Sequence, residues 1–79
     1  MRLTPRQRQI TKLVAEGNTN GEVGGILGIS GKVVHNHLGR IFDKTGMTGR
    51  LELALWWVKG GEKEQTGYTD RYVNRVTES

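Results

Sequence analysis

The chain has 79 residues, no cysteine, two histidines and a hydrophobic fraction of 34%. That length holds one domain with a small core. The composition excludes a disulfide framework or a cysteine zinc site as its source of stability, and argues against any structural metal.

The formal charge is +4 and unevenly placed: residues 1–60 carry nine Lys and Arg against four Asp and Glu, while residues 61–79 carry three against four. A basic excess on a small folded segment suits a phosphate-bearing partner, because each neutralised phosphate releases counterions. No apolar run approaches the ~20 residues of a membrane span, and no stretch reads as a signal peptide. The expectation is therefore a cytoplasmic protein with no membrane association.

The first helix is predicted at about 5–16. Thr4 is a suitable N-cap, Pro5 sits where a missing N–H is harmless, and Gln7 completes a capping box. Ile10, Leu13 and Val14 share one face with Leu3 nearby, and Gly17 ends the helix. Thr19 and Glu22 form a second capping box for a helix from about Asn20 to Leu27. Its inward residues are expected to be Val23, Ile26 and Leu27. Gly21, Gly24 and Gly25 weaken that helix by roughly 1 kcal/mol each relative to alanine, so it needs tertiary support, and a glycine there allows helix 3 to approach closely.

Gly28-Ile29-Ser30 turns the chain. A short helix, a glycine-containing turn and a longer helix form a helix-turn-helix pattern. The third helix is predicted at about 30–45, capped by Ser30 and stopped by Gly46. Helical spacing places Val34, Leu38 and Ile41 on one face, with Phe42 at its edge. Lys32, His35, Asn36, Gly39 and Asp43 take the opposite face, and Arg40 and Lys44 a flank. Such a polar stripe of cationic and amide groups is what a helix needs in a DNA major groove. His37 lies on the core flank, where packing or backbone bonding competes with a phosphate contact.

A fourth helix is predicted after Met47, capped by Thr48 and stopped by Gly60-Gly61. Leu51, Ala54, Leu55 and Val58 are expected to face inward, which leaves Leu53 and Trp57 on a second, exposed stripe. Exposed large apolar groups on a small domain need a partner, and a two-fold dimer through Leu53 and Trp57 would bury both copies. Residues 61–79 form a polar tail, in which Tyr72, Val73 and Val76 could line a short helix. The fold class is all-α, a four-helix bundle over residues 1–60 with a short C-terminal tail. No nucleophile, paired carboxylates or phosphate loop is visible, so neither an enzyme nor a cofactor is expected.

Several stretches taken together resemble the LuxR-type helix-turn-helix domain. They are Leu3-Thr4-Pro5-Arg6, Ala15-Glu16-Gly17-Asn18-Thr19-Asn20-Gly21-Glu22-Val23, Leu27-Gly28-Ile29-Ser30, Val34-His35-Asn36-His37, Ile41-Phe42-Asp43-Lys44 and Arg50-Leu51-Glu52-Leu53-Ala54. The resemblance covers about residues 3–60, nearly without gaps, and implies a transcription regulator that binds double-stranded DNA, with helix 4 commonly pairing two subunits. The family's base-reading positions fall on His35, Asn36 and Gly39, its backbone-contacting positions on Ser30, Lys32 and Arg40, and a further basic position on Arg50. The family's sensor domain usually precedes this motif. Here the chain starts at the motif, which reads as a stand-alone member.

Some positions depart from the family pattern. His35 stands where lysine is usual, Val33 where threonine or serine is, and Gly21 and Gly24 where lysine and alanine are. These departures bear on sequence preference and weaken binding without excluding it. The alternative is a protein-interaction module of the same fold that binds a transcription protein, such as RNA polymerase or a sigma factor, without strong DNA binding.

Overall fold

Hydroxyl side chains start three of the four helices. In α1 (Pro5–Ala15) and α2 (Asn20–Leu27) the N-caps Thr4 and Thr19 accept from the amides of Gln7 and Glu22, whose side chains bond back to the cap amides. In α3 (Gly31–Thr45) Ser30 Oγ accepts from the Val33 amide at 3.1 Å, and Gly46 closes the helix in the left-handed conformation. The last helix, α4, spans Arg50–Val58. The structure is a computed structural model that describes residues 2–61, all helix and connecting turns. The proposed tail helix with Tyr72, Val73 and Val76 lies outside the described residues.

Helix α1 is the hub, with α4, α3 and α2 each packed against it, and α2 also packs on α3. The core takes Leu3, Ile10 and Val14 from the first segment, Val23 from α2, Val34, Leu38 and Ile41 from α3, and Leu53 from α4. Two buried polar side chains are hydrogen-bonded. Thr11 Oγ1 donates to the Gln7 carbonyl at 2.8 Å, and Gln7 Oε1 accepts from the Thr4 amide and from Lys44 Nζ, each at 2.9 Å. Lys44 Nζ also donates to the Arg2 carbonyl at 2.9 Å. This tether fixes the C-terminal end of α3 to the entry of α1.

The corner between α2 and α3 depends on two glycines. A Cβ on Gly24 would strike the Ile29 carbonyl oxygen and crowd the Ser30–Gly31 backbone. Gly28 caps α2 at φ 75°, a left-handed conformation that glycine adopts without a Cβ penalty. Close approach therefore offsets the weak propensity of the glycine-rich helix.

Three expectations from the sequence need correction. The fourth helix is capped at Gly49, in extended backbone, and not at Thr48; the Thr48 amide and hydroxyl instead donate to Glu52 Oε1 at 3.0 and 3.2 Å. Its inward face is also inverted. Leu53 is wholly buried and Trp56 packs against the core, whereas Leu51, Leu55 and Val58 are 72%, 50% and 71% exposed. Both faces of this helix are apolar at helical spacing, so periodicity cannot choose between them; docking on α1 does. Leu53 is thus a core residue and not available to a dimer interface. Finally, Ile26 is 59% exposed, because the inward face of α2 is centred on Val23 and Gly24, where α3 approaches.

Candidate nucleic-acid interface

The outer side of α3 follows from its core side. Once Val34, Leu38 and Ile41 are buried, the 100° step per residue leaves Lys32, His35, Asn36, Gly39, Arg40 and Asp43 exposed. Ser30 is exposed at the head of the same helix. Its oxygen is engaged as the cap, but its hydroxyl hydrogen remains able to donate. Among the described residues, no protein hydrogen bond or ion pair engages the side chains of Lys32, His35, Asn36 or Arg40. An ion pair of Lys12 with Glu16, at 3.0 Å, lies on α1. The heads of these four side chains thus stand in solvent along one helix.

The face is mixed in charge. Lys32 and Arg40 bring fixed cations, and the Asp43 carboxylate opposes them toward the C-terminal end. Gly39 contributes no side chain, and no heavy atom lies within 4 Å of where its Cβ would be. The middle of the face is therefore flat, between Asn36 and the end of the helix. His37 is half-buried on the core flank.

Two basic residues have roles that spacing could not reveal. Lys44 is occupied by its bonds to Gln7 and Arg2 and does not belong to the free stripe. Arg50, at the start of α4, donates from Nη1 to Asn20 Oδ1 at 2.9 Å and from Nη2 to the Asn18 carbonyl at 3.0 Å. It therefore braces the start of α4 against the start of α2. A guanidinium has five N–H donors, so these two bonds leave donors available for another acceptor.

Two features escaped reading by helical angle alone. Val33 is 39% exposed at the first turn of α3, beside the polar stripe; the hydroxyl usual at its position in the resembling family was the available sign. The second is the stripe of Leu51, Leu55 and Val58 on α4. Trp57 is half-buried, its ring centroid 6.4 Å from that of Trp56. No helix among the described residues is long and apolar enough to cross a membrane.

Residues 1–57 match the family described as bacterial regulatory proteins, luxR family. The chain is 34% identical over 62 residues to the spore germination protein GerE of Bacillus subtilis, which covers 78% of this chain and 84% of that protein. It is 38% identical over 52 residues to the transcriptional regulatory protein UhpA of Escherichia coli, covering 66% of this chain and 26% of UhpA. With the probable transcriptional regulator ycf29 of Pyropia yezoensis it shares 42% identity over 56 residues, covering 71% of this chain and 25% of that protein. No solved structure gives a significant match.

Proposed function

This chain belongs to the luxR family of bacterial regulatory proteins, and on that premise we propose that it is a sequence-specific DNA-binding transcription regulator that inserts α3 into the major groove. The names of UhpA and ycf29, a transcriptional regulatory protein and a probable transcriptional regulator, support the assignment. The observation that carries it is the row of exposed, unpartnered hydrogen-bonding groups on α3, backed by an apolar face locked into the core.

The roles follow from the chemistry of each head group. Asn36 offers an amide that bonds bidentately to the N6 and N7 edge of adenine. His35 faces a neighbouring base edge, and Gly39 lets the helix seat close to the groove floor. Lys32 and Arg40 neutralise phosphates on either side, Ser30 donates to a phosphate oxygen at the helix start, and Arg50 uses its remaining donors on the backbone. The protein acts by binding, in the cytoplasm, without a catalytic step or a cofactor.

The chain works as a two-fold dimer through α4. The surface for it is the Leu51, Leu55 and Val58 stripe, in place of Leu53. These three are large, exposed and aligned at i, i+4 and i+7, and an isologous pair buries both copies at once. Pairing of this kind sets two recognition helices about one DNA turn apart, roughly 34 Å, so that each enters a successive major groove.

Selection from random duplexes, followed by titration of the winner with salt, tests the proposal. Three phosphate-bound cations per protomer predict a slope of log affinity against log salt near −3 for each half-site, at about −0.9 per phosphate. A chain that shifts no duplex even at low salt overturns it.

A further inference from the structure

We propose that Val33 reads a thymine, by packing its methyl groups against the C5-methyl that thymine alone presents in the major groove. The inference rests on α3 being the groove helix. Val33 is the third residue of that helix, and its amide is held by Ser30 Oγ at 3.1 Å. Recognition helices place their N-terminal residues against base edges. Val34, the next residue, is wholly buried and fills the core, whereas Val33 is 39% exposed and takes no place in the core cluster. An isolated apolar group amid Lys32, Asn36 and Arg40 is too small to dock a protein, yet it suits a single methyl.

Reach is the second condition. A valine side chain is short, so it touches a base only if the helix seats deeply. Gly39 supplies the room, since its outer surface is open. The branched side chain also has little rotamer freedom to lose in a helix. Val33 precedes Asn36 by three residues, about 4.5 Å along the axis, against about 3.4 Å per base pair. The thymine therefore lies one or two base pairs from the adenine bound by Asn36.

The test uses the full chain and its selected duplex. Each thymine is replaced in turn by deoxyuridine, which pairs identically and lacks the methyl. Affinity is measured for the parent and for Val33→Ala, with circular dichroism confirming that the variant is folded. At one position near the Asn36 adenine, deoxyuridine should weaken the parent about 3- to 5-fold, the value of roughly one buried methyl. Val33→Ala should bind the thymine and deoxyuridine duplexes equally. If the parent selects a sequence but tolerates deoxyuridine at every position, or if Val33→Ala keeps the discrimination, the assignment to Val33 falls while the regulator reading stands. A parent that selects no sequence overturns both.

Discussion

Replacing Leu53 by alanine empties a wholly buried site on the side of α4 that packs against α1. Leu53 is wholly buried in a cluster with Leu3, Ile10, Val14, Val23, Val34, Leu38 and Ile41. A buried leucine cut to alanine costs about 2–5 kcal/mol, the transfer of the lost atoms plus the cavity left behind. Sixty residues at about 0.05–0.15 kcal/mol each hold roughly 3–9 kcal/mol in total, so the change removes a large part of the stability. At about 4–8 °C per kcal/mol for a domain of this size, the midpoint should fall by at least about 8 °C. Leu51, two residues earlier on the opposite face of the same helix, is 72% exposed, and its replacement should stay within about 0.5 kcal/mol. Thermal melts followed by circular dichroism at low micromolar protein, where association adds little, give both numbers. If Leu51→Ala loses more stability than Leu53→Ala, the packing of α4 described above is wrong.

On the DNA side, Lys32→Ala and Arg40→Ala should each flatten the salt dependence of affinity by about one unit of slope; unchanged slopes for both would place the phosphates elsewhere. Gly39→Ala, where a Cβ meets open space, should stabilise the fold by about 0.8–1 kcal/mol, whereas Gly24→Ala, where a Cβ meets the Ile29 carbonyl, should destabilise it; urea midpoints that move together would refute the close approach at that corner. Leu55→Glu should turn a parent dimer into a folded monomer with weaker binding to a palindromic duplex, and sedimentation of a parent that is monomeric both free and on that duplex would sink the dimer.

The parts of the fold legible in the sequence are those set by local chemistry. Thr4, Thr19 and Ser30 cap the helices they were expected to cap, and the span of α2 matches the reading from Asn20 to Leu27. Apart from Val33, the two faces of α3 were legible because its apolar and polar residues recur there at helical period. Helix α4 was not, since Leu51, Leu53, Leu55, Trp56, Trp57 and Val58 leave both sides apolar, and only the surface of α1 decides which side is buried. The bonds of Lys44 to Gln7 and of Arg50 to Asn18 and Asn20 join residues 30 or more positions apart. No local pattern encodes such pairs, so Lys44 and Arg50 prove to be partly committed to holding the helices together.

The most direct measurement of the central claim compares the parent and Asn36→Ala on two duplexes, the selected site and a scrambled one of equal length, at one salt concentration. The Asn36 side chain is exposed and bonds to no protein group among the described residues, so its truncation leaves the fold intact. If α3 reads bases, Asn36→Ala loses about 1–3 kcal/mol on the selected site and almost nothing on the scrambled one. Equal affinity of parent and variant for the selected site would contradict base reading by α3.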